Sequence, residues 1–225
     1  LFRSEGFDDT AEARVTLEDG VATLKFATAE VGQGFVVLAP QIARTVLGVD
    51  TVVLDTIDTQ VGSAGSTSAS RQTWMSGGAV DGACRLVRER LFEHVAHSHG
   101  LDPLQLVIEG THVVDTMGPL RIPVVEASRG IKIEQTFVHR HRPTEDLDQN
   151  GQGNCHVAFA FVAHRAVVDV DTELGLVKVV QVATAQDVGQ VLNPLALTGQ
   201  IEGGIAQGLG LAVMEESVVD NRSEE

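Results

Sequence analysis

Residues 12–48 read EARVTLEDGVATLKFATAEVGQGFVVLAPQIARTVLG, and the spacing of their apolar side chains changes partway along. Over residues 12–28 the apolar and polar residues alternate on both sides of Asp19-Gly20, which predicts a β-hairpin. From Phe35 onward the apolar residues recur at helical spacing until Gly48, which predicts a helix. The stretch therefore predicts two antiparallel strands followed by a helix that packs on them.

The remaining sequence continues this mixture of strand and helix patterns. Pro40 fits the first helix only if that helix begins within the preceding turn. Further helices are predicted over residues 73–97 and 194–216, strands over residues 51–57, 104–108 and 131–138, a second hairpin over residues 157–170 and 176–183, and loops over residues 62–70 and 142–154. We predict an α+β fold of two lobes, residues 1–117 and 118–225, each with antiparallel strands and packed helices, and a ligand cleft between them.

The charge of the 225-residue chain is strongly negative. It contains 16 Lys and Arg against 31 Asp and Glu, so its formal net charge is −15 with His neutral. Nucleic acids and anionic membrane surfaces bind basic proteins, so neither is expected as a partner. An anionic ligand would have to be held locally by backbone N–H groups and helix amino termini. With 43% hydrophobic residues, the chain is expected to form a packed core.

The cysteines and the lengths of the apolar runs indicate in which cellular compartment the protein is expected. Cys84 and Cys155 are far apart and form no CxxC motif, so neither a disulfide framework nor a zinc ribbon is predicted. No apolar run approaches the roughly 18 residues of a membrane span, and no signal peptide pattern opens the sequence. We therefore expect a cytoplasmic protein without a membrane partner. Because Leu1 is not an initiating Met, we also expect a piece of a longer protein.

Two local patterns suggest sites for an anion. Gln33 and Gln200 each follow a glycine at the start of a predicted helix, where a side-chain amide can donate to a ligand oxygen. On spacing alone, an ordinary capping glutamine is the commoner explanation. Residues 62–70 supply hydroxyls and accessible amides just before a helix, which suits a phosphate group. The sequence lacks the motifs of a nucleotide P-loop, a dinucleotide-binding fold and a serine hydrolase, so these classes are disfavoured.

Residues 139–156 contain three histidines and one cysteine, residue types that bind zinc. His139, His141, Cys155 and His156 carry donor atoms that suit zinc. However, His139 and His141 belong to one face of a strand end, whereas the adjacent Cys155 and His156 should point to opposite faces. A metal site built from protein side chains is therefore not predicted.

Three segments, in this order and at these spacings, carry a resemblance to a known family. They are residues 30–34 (EVGQG), residues 65–71 (GSTSASR) and residues 187–204 (DVGQVLNPLALTGQIEGG). Together they make the chain similar to the molybdenum-cofactor-binding subunit of the xanthine dehydrogenase and aldehyde oxidase family. The likeness extends over nearly the whole chain, and residues 144–161 resemble the bacterial xanthine dehydrogenase branch.

The resemblance implies a molybdopterin cofactor with molybdenum, in its cytosine dinucleotide form, and a role for the matched residues. Gln33 would lie among the groups that hold the pterin and its phosphates, and Gln200 would reach the pterin from the other lobe. Ala69 would pack beside the molybdenum, while Ser68 and Ser70 would donate to the phosphate arm. The full implied set of cofactor-binding residues is Gly32, Gln33, Gly34, Ser66, Thr67, Ser68, Ala69, Ser70, Gly199 and Gln200. In this family the metal is ligated by the pterin dithiolene and by oxo, sulfido and hydroxyl groups, so no protein ligand to it is expected.

The sequence also departs from the family pattern. The family's general base is a Glu in a Gly-Glu context near the carboxyl end, and Glu202, Glu215 and Glu216 do not match it. No catalytic residue is assigned, and the isolated chain is expected to be inactive. We expect the amino-terminal half of the usual subunit to lie outside this chain. The resemblance implies iron–sulfur clusters and FAD on partner subunits or domains only, in line with the lack of cysteine clusters that could ligate iron–sulfur centres. The chain would be an interior or carboxyl-side fragment of the molybdenum subunit of an oligomeric enzyme.

The resemblance predicts the function of an oxidoreductase. The chain would be part of a molybdenum hydroxylase that oxidatively hydroxylates a purine-like heterocycle, such as xanthine or hypoxanthine, with water as the oxygen source. Two alternatives stay open: a carbon monoxide or aldehyde dehydrogenase relative, and a non-catalytic scaffold fragment that binds no cofactor. The residues that select the substrate in this family lie outside the chain, so its sequence does not decide between these substrates.

Overall fold

The structure, a computed structural model, describes residues 2–3, 9–56 and 60–218. The strands are β1 (Phe2–Arg3), β2 (Thr10–Glu18), β3 (Val21–Phe26), β4 (Thr51–Leu54), β5 (Leu106–Glu109), β6 (His112–Asp115), β7 (Arg121–Pro123), β8 (Lys132–Arg140), β9 (His156–Ala158), β10 (Phe161–Asp171) and β11 (Leu176–Asp187). The α-helices are α1 (Phe35–Leu47), α2 (Gln72–His99), α3 (Val124–Ala127) and α4 (Pro194–Val213). This mixture of helices and mainly antiparallel strands confirms the predicted α+β class.

The chain separates into two compact units, one ending at Ala158 and the other beginning at Phe159. In the first unit, β8 of residues 132–140 pairs with β2, so the main sheet joins both sides of the predicted lobe boundary at residues 117 and 118. Those lobes were defined by cofactor binding, and that division stays a prediction, as does the cleft between them. Each unit is described by itself below.

The first unit is built on a four-stranded sheet with the order β4-β3-β2-β8. The predicted hairpin forms β2 and β3, with Val15 opposite Leu24 in the register. Both turn residues have positive φ, 48° at Asp19 and 79° at Gly20, as a tight hairpin turn requires. The alternation in the sequence corresponds to alternating burial in both strands, so one face of the sheet forms the core.

Helices α1 and α2 cover the sheet. The predicted apolar track of α2 is buried throughout; its members are Ala79, Ala83, Val87, Leu91 and Val95. Cys84 is buried in the same helix, and this burial, with a smaller contribution from Asp81, raises the pKa of its thiol to about 12. The structure corrects the expectation for Pro40, which lies in the second turn of α1 rather than within its first turn. Because proline has no N–H, the carbonyl group of Val36 lacks its usual helical donor.

Two glycines allow α2 to lie close to β8. A Cβ atom added at Gly82 would lie 2.6 Å from Cγ of Phe137, and one added at Gly78 would lie 2.8 Å from Cε1 of His139. Real Cβ atoms do not approach other heavy atoms so closely. The aromatic rings of β8 therefore occupy the space that side chains at these two helix positions would need.

We expect Gly82→Ala to lower the free energy of unfolding by roughly 1–3 kcal/mol, because the Phe137 ring would have to move away from α2. Gly77→Ala, in the same helix, is the matched control: its Cβ would lie 3.6 Å from Cδ1 of Ile42, an ordinary contact distance. Urea unfolding followed by circular dichroism measures both variants. Equal unfolding free energies for the two would contradict the close packing of α2 on β8.

Two local differences from the sequence prediction occur between residues 100 and 131. The predicted strand at 104–108 is a 3₁₀ turn at Pro103–Gln105 followed by β5. The stretch containing Pro119, which showed no regular pattern, forms β6 and β7, so that β5-β6-β7 is a small antiparallel sheet. Strands of three and four residues are too short to show a period, and Pro123 lies at the end of its strand, where no ladder donor is needed.

The second unit consists of a hairpin and a helix. β10 and β11 confirm the predicted second hairpin, with a register irregularity at Val167 and Val168, whereas residues 156–158 form β9 and pair with β1 instead. α4 begins as predicted at Pro194, and the Asn193 side chain accepts a hydrogen bond from the Ala196 amide at 3.0 Å. No residue of α4 is buried. Across the described ranges, no helix combines the length and apolar character needed to cross a membrane.

Candidate functional site

The first part of the site is the turn of residues 29–34, which leads into α1. The side chain of Gln33 folds back on this turn: its Nε2 donates to the Ala29 carbonyl oxygen at 2.9 Å, and its Oε1 accepts from the Val31 amide at 2.7 Å. Gly32 and Gly34 have φ of 99° and 86°, which other residues adopt only with strain. The predicted Gly-Gln-Gly segment is therefore a defined turn in which the glutamine is held by the backbone.

The carboxylate of Glu30 occupies the amino-terminal end of α1. Its Oε1 accepts hydrogen bonds from the amides of Gly32 at 2.8 Å and Gly34 at 3.0 Å, and its Oε2 accepts from the Val36 amide at 3.0 Å. Burial would raise the pKa of Glu30, but the backbone donors outweigh it and lower the pKa below its usual 4.5. The backbone donors that the sequence suggested for a ligand already have an acceptor within the chain.

The second part of the site is the loop that precedes α2. The side chain of Arg71, which is fully buried, holds this loop from the protein interior. The guanidinium donates to the carbonyl oxygens of Ala64 at 2.6 Å and Ser66 at 2.9 Å, and it forms an ion pair with the buried Asp9. Gly65 has φ of 66°, and a Cβ at this position would lie 2.7 Å from a guanidinium nitrogen. The small residues of the loop thus allow a buried arginine to bind its backbone directly.

A chain of hydrogen bonds joins the two parts. The Thr28 hydroxyl donates to the Ser76 hydroxyl at 2.6 Å, which donates to Oε1 of Gln72. Nε2 of Gln72 donates to the Thr67 hydroxyl at 3.1 Å, and Thr67 donates to the Ala29 carbonyl oxygen at 3.2 Å. This carbonyl oxygen also accepts the bond from Gln33. Two of the predicted site residues, Gln33 and Thr67, therefore meet at one atom.

The outer side of the loop carries uncharged donors. The hydroxyl oxygens of Ser66 and Ser68 lie 2.6 Å apart, and Ala69 and Ser70 are both exposed with φ of 53°. Within the residues that the structure describes, the amides of Ala69 and Ser70 and the Ser70 hydroxyl have no protein acceptor. Two consecutive non-glycine residues in the left-handed conformation are rare in proteins. Where such conformations occur, they are concentrated at functional sites. This donor set fits an anionic group, and Arg71 contributes no exposed charge because Asp9 neutralises it.

Gly199 and Gln200 belong to the second unit. Both are exposed on α4, but the helix begins at Pro194, so these residues lie in its second turn. The expectation that Gln200 stands at a helix start is therefore wrong, since the N–H groups without helical partners are those of the first turn. Its predicted role in cofactor binding stays a prediction that depends on its side chain alone.

The residues of the site that sequence reasoning missed include Asp9, Glu30, Arg71 and Gln72, with Thr28 and Ser76 in the hydrogen-bond chain. Glu30 and Arg71 lie inside the quoted segments, where an acid before a helix start and a single cation after a run of small residues are detectable signals. Asp9 gives no local signal, because it is 62 residues away from Arg71 in the sequence.

Residues 139–156 carry the histidines and the cysteine whose side chains could bind a metal. Cys155 Sγ lies 3.1 Å from Nδ1 of its neighbour His156. Burial, and to a lesser extent His141, lower the pKa of His139, whose ring packs edge-on against Trp74. No group of three or more potential metal-binding side chains occurs in the part of the chain that the structure covers.

Comparisons with known proteins agree with the resemblance drawn from the motifs. The family model described as molybdopterin cofactor-binding domain matches residues 2–224. The nicotine 6-hydroxylase large subunit of Paenarthrobacter nicotinovorans is 26% identical over 96% of this chain and 27% of its own length. The putative xanthine dehydrogenase molybdenum-binding subunit of Escherichia coli is 27% identical over 96% of this chain and 29% of its own length.

Solved structures share the fold. A Cu,Mo-CO dehydrogenase has a TM-score of 0.79 at 19% identity, covering 93% of this chain and 27% of that one. Quinoline 2-oxidoreductase from Pseudomonas putida 86 has a TM-score of 0.76 at 24% identity, covering 94% of this chain and 28% of that one. The chain thus spans less than a third of the length of these relatives. By the match over nearly all its residues, it belongs to the molybdopterin cofactor-binding domain family.

Proposed function

We propose that the chain is the molybdopterin-binding portion of a molybdenum hydroxylase that oxidatively hydroxylates a purine-like heterocycle with water as the oxygen source. The observation that carries this proposal is the convergence of Gln33 and Thr67 on the Ala29 carbonyl oxygen. It joins two of the three motif segments, the turn of residues 29–34 and the loop of residues 62–70, through one backbone oxygen. The likeness to E. coli and Bacillus subtilis xanthine dehydrogenase subunits supports the purine-like substrate over carbon monoxide or an aldehyde.

The residues of the first unit would hold the cofactor, which we propose to be the cytosine dinucleotide form of molybdopterin. When bound, its molybdenum supplies the oxidation chemistry. The amides of Ser66, Thr67, Ser68, Ala69 and Ser70 and the Ser70 hydroxyl would donate to anionic groups, which suits a chain of charge −15. The Thr67 hydroxyl already donates to the Ala29 carbonyl oxygen. Gln33 has one N–H and one lone pair left after its two backbone bonds, and it would offer these to the pterin.

Gly32, Gly34, Gly199 and Gln200 complete the proposed set of cofactor-binding residues. Gly32 and Gly34 would contribute through the turn that they allow, and Gly199 and Gln200 through an exposed part of α4. Iron–sulfur and FAD subunits or domains would accept the electrons, in an oligomeric cytoplasmic enzyme. The relatives include proteins named as subunits, which supports assembly with such partners.

Metal and pterin analysis tests this function. The test uses the longer protein of which this chain is proposed to be a part, called the parent protein below. When it is purified from a host that makes the cofactor, we expect it to contain molybdenum, pterin and releasable cytidine monophosphate in equal amounts. A substrate panel of xanthine, hypoxanthine, an aldehyde and carbon monoxide, with a dye as electron acceptor, then tests the proposed substrate class. A parent protein with no molybdenum or pterin would support the scaffold alternative and overturn the proposal. A loaded protein that oxidises only carbon monoxide or aldehydes would overturn the substrate class alone.

A further inference from the structure

The proposal concerns Glu30, a residue without a role in the function described so far. Three backbone amides surround its carboxylate, at 2.8 Å for Gly32 and 3.0 Å for Gly34 and Val36. Val36 lies in the first turn of α1, Gly34 is its N-cap and Gly32 belongs to the turn just before it, so an anionic ligand at this helix start would otherwise compete for these donors. Here an anion of the chain itself occupies them, although the Glu30 side chain lies at the surface.

The same bonds define the conformation of the turn. Glu30 bonds the amides on both sides of Gln33, those of Gly32 and Gly34, and both glycines have positive φ. Within this frame Gln33 bonds Ala29 and Val31, residues that flank Glu30. The carboxylate and the glutamine amide are thus interleaved, and each depends on the turn that the other holds.

We propose that Glu30 is a positioning residue: it closes the start of α1 to external phosphate and fixes the turn so that Gln33 faces the cofactor in one conformation. The part concerning the cofactor rests on the proposed function. It follows that the loop of residues 66–70, and not the amides of Gly32 and Gly34, would bind the phosphate oxygens of the cofactor. The backbone donors hold the carboxylate in its charged form, in line with the lowered pKa of Glu30.

The first experiment uses the full chain and does not depend on the cofactor. We expect Glu30→Ala to accelerate hydrogen exchange of the Gly32, Gly34 and Val36 amides by roughly tenfold, the size expected when a capping side chain is lost. In the unmodified chain, inorganic phosphate should leave these three amide resonances unshifted. Glu18→Ala, which removes an equal charge from an exposed strand end, is the control and should leave the exchange rates unchanged. Unchanged exchange in Glu30→Ala, or a phosphate-dependent shift in the unmodified chain, would overturn the closing role.

The second experiment tests the positioning role in the parent protein from a cofactor-producing host. We expect Glu30→Ala to reduce the molybdenum content several-fold and Glu30→Gln to restore part of it, since the single glutamine oxygen can still accept from the Gly32 and Gly34 amides but not also from Val36. Full molybdenum content in Glu30→Ala would overturn the positioning role. If the unmodified parent itself lacks molybdenum, the proposed function and this positioning role fail together, while the exchange experiment still decides the closing role separately.

Discussion

Ala69→Asp is expected to remove most of the molybdenum from the parent protein while leaving its fold intact. Ala69 is exposed, and its amide has no protein acceptor in the described part of the chain, so a carboxylate here would face the anionic cofactor. Repulsion in a partly desolvated site exceeds the roughly 1 kcal/mol of an exposed pair, so the molybdenum content should fall by about tenfold or more. Mass spectrometry of the metal and thermal melting together measure both effects.

Ala69→Asn is the matched control for this variant. Asparagine has the shape of aspartate without its charge, and both residues tolerate the left-handed conformation that Ala69 adopts with φ of 53°. We therefore expect Ala69→Asn to retain much more molybdenum than Ala69→Asp, at a similar melting temperature. If both variants retain as much molybdenum as the unmodified protein, the loop does not bind the cofactor.

Arg71→Met should lower the free energy of unfolding far more than the loss of an exposed ion pair does, because Arg71 is fully buried. The variant would leave the Asp9 carboxylate buried without its partner and would remove the donors to the carbonyl groups of Ala64 and Ser66. Breaking a buried ion pair by removing one partner costs about 3–5 kcal/mol. The free energy of unfolding in urea should fall by that amount, and the loop of residues 62–70 should lose its conformation.

Arg121→Met provides the comparison, because it also removes one arginine from an ion pair. Nη1 of Arg121 lies 2.9 Å from Oε2 of Glu109, but both side chains are more than half exposed. Exposed pairs contribute about 0–1 kcal/mol, so this variant should unfold almost as the unmodified chain does. A loss of stability in Arg71→Met no larger than that in Arg121→Met would show that the buried pair does not hold the loop.

Periodic patterns predicted the larger elements well. The hairpin of β2 and β3 and the long helix α2 follow from alternation and helical spacing, because each buries one continuous face against the core. β6 and β7 were missed, because strands of three or four residues are held by their neighbours rather than by their own pattern. Pro40 was placed wrongly, since packing of the buried face of α1 outweighs one lost backbone hydrogen bond.

The candidate site was less accessible to sequence reasoning. The motif segments predicted Gln33 and residues 66–70 as site residues, but they did not predict the hydrogen bonds that connect them. The ion pair of Asp9 with Arg71 depends on the fold to bring together residues that are distant in sequence. Glu30 was overlooked because helix starts were treated as free donors, whereas a nearby carboxylate can satisfy them first.

The shared Ala29 carbonyl oxygen has a consequence for how variants of this protein are interpreted. Because Gln33 and Thr67 donate to the same oxygen atom, replacing either one changes the bond that the other makes. Effects measured singly at these two positions cannot be summed, since residues in one hydrogen-bond network are energetically coupled. The effect of a substitution at Gln33 is therefore expected to depend on whether the Thr67 hydroxyl is present, and only variants made at both positions measure that dependence.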